Sequence, residues 1–370
     1  MRIAIDARFA SGKITGVGKY CVRLVESIDA MSVSNEIILL VNSDSILTKN
    51  SKIIKTSITP EMHPLNELWE NITLPYYLKK NRINLFHSPA FFLPLFSPGT
   101  KKIVTIHDLA VFKFPETFTY KFSKYLQLMI CLSTRFADRI IVDSGAVKKD
   151  IIDILKVREE KISVIYPGID DVFLREGKGE IDKFKEARNL TQGFILYAGT
   201  IEPRKNLVNL IKAFSILKER GLKQKLVIAG KRGWLYERII EEVKRSKFKG
   251  DIVFTDYIFD VDLKLYYSNC DVFVYPSLYE GFGLPTLEAL ACGAPVVVPD
   301  IPVFREVLDE SALFVQPESP ESIADGIERI LTDGNLRERI MGAGRGQVKK
   351  YSWNRTAIET MKVYQEIVRG

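Results

Sequence analysis

Cysteine is scarce in this chain of 370 residues: Cys21, Cys131, Cys270 and Cys292 stand far apart, and none belongs to a C-x-x-C pair. That spacing argues against a zinc site or disulfide framework and points to buried, reduced thiols. The opening "MRIAID" lacks an apolar run of signal-peptide length and a small-residue cleavage site, so the cytoplasm is the expected location. The stretch "NLFHSPAFFLPLFSPGT" at 84–100 is uncharged but too short and too rich in proline to span a bilayer. Dense Lys/Arg runs with interleaved aromatics are missing, as is any recognisable nucleic-acid module, so no nucleic acid partner is expected. No repeat of solenoid period appears.

What is present is globular material: 46% hydrophobic residues, 27% charged residues and a mean hydropathy of +0.01. At this length two domains of ordinary size are expected. The net charge of +7 is uneven. Residues 1–185 hold 27 Lys and Arg against 21 Asp and Glu, or +6, and the remainder holds 26 against 25, or +1. The first half is therefore expected to meet an anionic surface or ligand, with phospholipid headgroups one candidate.

Short β-branched runs alternate with amphipathic segments from end to end, the pattern of βα units around parallel sheets. Strands are predicted near 2–6, 36–41, 52–57, 85–88, 102–107, 139–143 and 161–166, then near 194–198, 225–229, 251–255, 271–275, 295–299 and 312–315. The polar segment 167–193 reads as the connection between two α/β domains. The last helix, with a Ser352 cap, is not assigned to either domain by its pattern. Ligands of doubly wound sheets bind outside the carboxyl ends of the strands, so the cleft between two such domains is the expected site.

Several strand-end loops carry chemistry. Gly16 and Gly18 precede an amphipathic helix, where backbone N–H groups can approach an anion; a tight turn explains them equally well. A dinucleotide fingerprint would need a third glycine at Cys21 and an acidic residue at Asn42, which disfavours a dehydrogenase. His107 and Asp108 close the "KIVTIHD" strand, as a hydroxyl or phosphate contact or as a His held by its neighbouring aspartate. After "FILYA" come Gly199 and Thr200, then Arg204 and Lys205 just before the helix opened by Asn206. Two cations there oppose the helix dipole, and a fork plus a point charge suit a diphosphate. In "YPSLYEGFGLPTLEALACGAPVVVPD", Pro285 fits the first helical position and Gly293 the residue past the end. Glu288 then lies near a helix start and Glu280 on the preceding loop, and carboxylates suit the diols of a sugar or ribose.

With "GVGKY", "TIHDL", "VDSGAVKKDI", "VIYPGID", "GTIEPRKNL", "IAGKRGW" and "REVLDESALFVQPES" in order, the E-x7-E pair Glu280 and Glu288 resembles the large family of retaining, nucleotide-sugar-dependent glycosyltransferases of family 4 type. The similarity covers nearly the whole chain. It implies the GT-B fold: two doubly wound Rossmann-like domains facing a deep interdomain cleft. The acceptor domain would be 1–175 with the C-terminal helix 352–370, and the donor domain 190–350. Glu288 would bind the ribose and Glu280 the transferred sugar, in a pocket lined by Gly281, Phe282, Gly283 and Leu284. Arg204 and Lys205 would hold the diphosphate beside Gly199, Thr200 and Thr286, with Gly16 and Gly18 closing over it and His107 touching the sugar. The family needs no divalent metal or other cofactor, and "DVD" at 260–262 reads as a helix start rather than a metal motif.

The closest likeness is to the mannosyltransferase branch of surface-polysaccharide synthesis, which implies GDP-mannose as donor; UDP-glucose or UDP-GlcNAc is the alternative. A saccharide or lipid-linked oligosaccharide is the implied acceptor. Lys79, Lys80, Lys101 and Lys102, flanking the aromatic stretch, would favour peripheral contact with the inner membrane face. A non-catalytic nucleotide-sugar-binding partner and a GT-B enzyme of other chemistry are the rival readings.

Overall fold

A computed structural model describes residues 1–10, 16–31, 35–42, 48–56, 69–174 and 181–369. Residues 11–15 ahead of Gly16, residue 57 of the strand expected at 52–57, and 175–180 of the expected connection lie outside the described residues. The chain forms two compact units, Met1–Phe112, Lys121–Gly168 and Ser352–Gly370 in one, and Lys113–Tyr120 with Ile169–Tyr351 in the other.

The first unit is built on β1 (Arg2–Asp6), β2 (Glu36–Val41), β3 (Lys52–Lys55), β4 (Leu85–Ser88), β5 (Lys101–Ile106), β6 (Arg139–Val142) and β7 (Ile162–Val164), in the order β3-β2-β1-β4-β5-β6-β7. The second carries β8 (Phe194–Ala198), β9 (Lys225–Ala229), β10 (Ile252–Phe254), β11 (Val272–Val274), β12 (Val296–Pro299) and β13 (Leu313–Val315), in the order β10-β9-β8-β11-β12-β13. All pairings between these strands are parallel. Central strands such as β8 and β12 are buried along their whole length, which is why their sequences read as unbroken apolar runs. The edge strand β3, "KIIK", is mostly exposed and starts and ends on lysine, a common guard against edge pairing. The strand order reverses at β1/β4 and at β8/β11, so the carboxyl ends of those pairs are where ligands are expected.

The helix Trp353–Arg369 packs on the helix Gly16–Ala30 in the first unit. Its Tyr364 hydroxyl is 2.5 Å from Nδ1 of the buried His87, whose Nε2 lies 2.8 Å from Thr105 Oγ1. Burial, and then the charge of His107, hold the His87 pKa at about 3, so this ring is neutral. Where the chain leaves this unit at Gly168 and returns at Trp353 the backbones touch: a Cβ on Gly168 would lie 2.1 Å from Trp353 N. Arg8 closes the end of β1. It forks onto Asp6 at 2.8 and 2.7 Å, reaches Glu70 at 2.8 Å and lies 4.2 Å from the Trp69 ring centre, pinning the π-helical turn Trp69–Thr73.

Several expectations are corrected. The first unit ends at Gly168, not near 175, because the short helix Asp171–Leu174 packs Phe173 against Tyr267 and its carbonyl accepts from Cys292 Sγ. Residues 113–120 join the second unit, since Trp234 Nε1 donates to Thr117 O at 2.7 Å and its ring stacks on Phe118. Gly16 and Gly18 lie inside the helix Gly16–Ala30 as its first and third residues rather than ahead of it. Cys21 and Cys270 are buried as expected, but Cys131 is exposed. Lys102 is not a surface charge: it is buried, with Nζ donating to Pro94 O and Leu95 O, and burial lowers its pKa.

Candidate active site

In the second unit β8 and β11 are hydrogen-bonded neighbours, so the loops that leave their carboxyl ends meet. Gly199 follows β8 with φ +156°, and a Cβ on Gly230 would sit 1.9 Å from its carbonyl oxygen, so the two backbones touch without side chains. Tyr197 donates to the carbonyl of half-buried Thr200 at 2.9 Å. The 3-10 turn Pro203–Lys205 comes next, and Asn206 adopts the left-handed conformation at φ 59°. The Asn206 amide donates to Pro276 O at 3.1 Å and Pro317 O at 2.7 Å, while Leu278 N–H donates to Arg204 O at 3.0 Å. These bonds hold the loop after β11 against the turn that carries the two cations.

The result is a compact ion cluster. Lys205 Nζ is 2.5 Å from Glu280 Oε1 and 2.9 Å from the Tyr275 hydroxyl. Arg204 donates to Tyr279 O at 2.7 Å and to Glu202 Oε1 at 2.9 Å, with Glu280 Oε2 at 3.3 Å. Burial pushes the Glu280 carboxyl up, but Lys205 and Arg204 outweigh it and hold its pKa at about 2. Glu280 is therefore an ionised acceptor at any physiological pH. Glu202 and the three tyrosines escaped the sequence reading; Glu202 lay in view two residues before Arg204, but only the fold turns it inward.

The helix expected after Glu280 is Leu284–Ala291. Gly283 enters it at φ +87°, and a Cβ there would come within 2.5 Å of Phe304, so shape and conformation both demand glycine. Past the end, Gly293 N–H donates to Leu290 O and Ala294 N–H to Ala289 O, the paired bonds of a Schellman stop. Gly281 and Phe282 are buried, Phe282 edge-on to Tyr351, and Leu284 opens the helix. Thr286 Oγ1 donates to Gly283 O at 2.7 Å, and buried Glu288 accepts from the Tyr267 hydroxyl at 3.2 Å. The second unit thus gathers Gly199, Thr200, Arg204, Lys205 and Glu280 on two adjoining loops, with Glu288 in the helix that follows.

The remaining site residues lie in the first unit. His107 follows β5 and is 8% exposed, with Nδ1 2.7 Å from Asp143 Oδ2 and Nε2 2.8 Å from Pro89 O. Pro89 O can only accept, so Nε2 carries a proton, and one proton is shared between Nδ1 and Asp143, whose own pKa burial raises even as His107 lowers it. Burial opposes the charged ring, but the Asp143 carboxylate and the two hydrogen bonds raise the His107 pKa above its usual 6.5. The holding aspartate is Asp143 and not the neighbouring Asp108, whose Oδ1 instead accepts from Ala110 N–H at 2.9 Å. Gly16 is exposed at the start of its helix and Gly18 is buried within it. Among the described residues, no group of three or more His, Cys, Asp or Glu side chains is placed to hold a metal ion.

Residues 14–173 match the family described as Glycosyltransferase Family 4, and residues 179–347 match Glycosyl transferases group 1. The chain thus carries both halves of a glycosyltransferase, and its paired Rossmann-like sheets form the GT-B fold. It is similar to the O-antigen chain mannosyltransferase B of Escherichia coli, 28% identical over 95% of this chain and 96% of that one. Among solved structures, sucrose-phosphate synthase from Thermosynechococcus elongatus superposes with a TM-score of 0.80 at 21% identity, covering 99% and 98% of the two chains. An Anabaena protein, Alr3699/HepE, solved in complex with UDP and glucose, gives 0.77 at 17% identity over 98% and 100%.

Proposed function

We propose that this protein is a retaining hexosyltransferase that moves mannose from GDP-mannose to a saccharide or lipid-linked saccharide acceptor in cell-surface glycan synthesis, at the inner face of the cytoplasmic membrane. The observation that carries the reading is the cluster of Lys205, Arg204 and Glu280 at the β8/β11 reversal, followed by Glu288 in the next helix. The resemblance to the Escherichia coli mannosyltransferase over nearly the full length favours mannose.

The chemistry follows from the charges. As the bond between sugar and diphosphate breaks, negative charge grows on the leaving group, and Arg204 and Lys205 stabilise it where other transferases use a divalent cation. Glu280, ionised throughout, accepts hydrogen bonds from sugar hydroxyls and cannot serve as a general acid. Glu288 takes the ribose hydroxyls. Glu280 engages both cations, and an arriving diphosphate would take over that partnership and release the carboxylate towards the sugar. Retention follows from attack on the leaving-group face, with the departing phosphate oxygen accepting the acceptor's proton.

A thermal-shift screen against UDP-, GDP-, ADP- and dTDP-sugars in EDTA tests this, with Glu288→Ala alongside. Ligand at a hundred times its dissociation constant adds about 2.7 kcal/mol, a few degrees in midpoint. A GDP-sugar shift that weakens in the variant, with an α-linked product from the α-linked donor by NMR, is the expected result. A shift with UDP-sugars alone would move the reading to a UDP-glucose or UDP-GlcNAc transferase, the second candidate because of the Anabaena complex. Binding without turnover on any acceptor would favour a non-catalytic partner, and no shift at all would overturn the donor site.

A further inference from the structure

Residues 113–120 are flanked in sequence by the first unit but belong to the second, which they grip at two points. At one, Trp234 Nε1 donates to Thr117 O at 2.7 Å and the indole stacks on Phe118 with 5.5 Å between ring centres. At the other, the Phe114 ring lies 6.0 Å from that of Tyr279, and Lys113 Nζ lies 5.1 Å from the same Tyr279 ring centre. The span between the two points is stiff. Pro115–Thr117 is a 3-10 turn whose proline fixes one φ, Thr117 Oγ1 and N–H both donate to Phe114 O at 2.7 and 3.0 Å, and Phe118 N–H donates to Pro115 O at 3.2 Å. The segment is thus a bracket with an aromatic anchor at each end.

Both anchors lie on loops that reach the candidate site. Tyr279 immediately precedes Glu280, and its carbonyl accepts from Arg204 at 2.7 Å, so one residue carries a fixed partner of the cation and the backbone of the carboxylate. Trp234 follows Gly233, whose N–H donates to Ile201 O at 2.9 Å, while Ile201 N–H donates to Lys231 O at 2.9 Å. Ile201 stands between Thr200 and Glu202 on the loop after β8. A Cβ on Gly233 would come within 2.8 Å of Thr200 Cγ2, so the two loops fit closely there. The bracket therefore ties the loop after β9 to the loop after β11, and in the sheet order the loop after β8, with Arg204 and Lys205, lies between those two. Of the bracket's own side chains only Thr117 is buried, so it adds little to the core of the unit.

We propose that Phe114 and Trp234 are positioning residues, which through this bracket fix Glu280 against the turn of Arg204 and Lys205. The inference rests on the donor site proposed above and makes its geometry depend on a segment from the first half of the sequence. The bonds from Leu278 N–H to Arg204 O and from the Asn206 amide to Pro276 O already hold the base of the Glu280 loop. Phe114 and Lys113 hold its tip, at Tyr279. Catalysis tolerates little error at such a point, since a displacement of about 1 Å can cost about 10²-fold in rate. Folding tolerates more, because partly exposed rings at strand ends bury little apolar area.

Hydrogen exchange by mass spectrometry on the full chain, without ligand, reads the bracket directly. In Phe114→Ala the amides of 276–283 should exchange about tenfold faster than in the wild type, with β8 and β11 unchanged. Release of nucleoside diphosphate from GDP-mannose and from UDP-glucose, with water as acceptor, reads the reaction. Phe114→Ala and Trp234→Ala should each lower kcat by about ten- to a hundredfold with the donor KM within about threefold, and Phe114→Tyr should restore the rate. Phe114→Leu, which keeps apolar bulk without the ring, carries the same test should the alanine variant not fold. Unchanged exchange at 276–283 overturns the inference, and so does faster exchange with an undiminished rate, since the bracket is then packing alone. A wild type that cleaves neither nucleotide-sugar counts against the donor site, whereas exchange still decides the bracket.

Discussion

At the strand reversal of the first sheet Arg8 is held by Asp6 and Glu70 with none of its side chain exposed; at that of the second, Arg204 and Lys205 share Glu280 with 12% and 8% exposed. Both clusters place cations and carboxylates at the carboxyl end of a central strand, on sheets of the same order through six strands. They differ in saturation. A fully buried guanidinium forked onto one carboxylate, bonded to a second and covered by an indole is scaffold. A lysine and an arginine that share Glu280, with Glu202 on the arginine alone, could exchange the shared carboxylate for a phosphate. Topology sets where charges gather, and the completeness of their pairing separates a scaffold from the donor site proposed above.

Substitutions can break that comparison. Arg8→Leu strands two carboxylates in the interior and should cost about 3–5 kcal/mol of stability in urea unfolding, while the folded fraction keeps its donor-induced shift. A loss below about 1 kcal/mol would mean that the cluster is not structural. Lys205→Met should act the other way round, lowering kcat by about 10²–10³-fold, with a smaller loss of stability than in Arg8→Leu. Equal turnover in that variant would remove Lys205 from the leaving-group site.

Glu202→Gln sharpens the contrast, because it frees Arg204 from its fixed partner without touching Lys205. We expect kcat to fall by roughly tenfold, about 1.4 kcal/mol of transition-state stabilisation, while nucleoside diphosphate binds more tightly. Weaker binding with unchanged kcat, by calorimetry and initial rates, would assign Glu202 to folding alone.

The smallest effect concerns His107. Its folded pKa lies above the unfolded 6.5, so its pairing with Asp143 adds stability in full below about pH 6.5 and loses it as pH rises through the folded value. The midpoint difference between wild type and Asp143→Asn should therefore be greatest near pH 6 and shrink towards pH 9. A constant difference over that range would show that His107 is uncharged.

Most of the thirteen strands were legible because parallel strands buried on both faces read as apolar runs, and Pro285 and Gly293 marked the helix that forms at Leu284–Ala291. What stayed hidden depends on residues distant in the chain. The Lys205–Glu280 pair exists because β8 and β11 adjoin, and that adjacency joins positions 75 residues apart. The partner of His107 was sought at the next residue, Asp108, and found 36 residues on at Asp143 because β5 and β6 are neighbours. Lys102 reads as surface charge in sequence, and only the fold shows Pro94 and Leu95 presenting carbonyls to it.

Glu280 also sets a threshold for the donor site proposed above. Arg204 and Lys205 against Glu202 and Glu280 sum to zero, so the cluster would attract small anions less than an open pair of cations. In the proposed site a sulfate would offer charge but nothing to satisfy the carboxylate it displaces, whereas a nucleotide-sugar would bring a diphosphate for the cations and hydroxyls for Glu280 in one molecule. Selectivity of this kind comes from an internal stand-in rather than from a tight fit. It would show as inhibition by pyrophosphate at concentrations where sulfate is inert, and equal potency of the two would mean that Glu280 guards nothing.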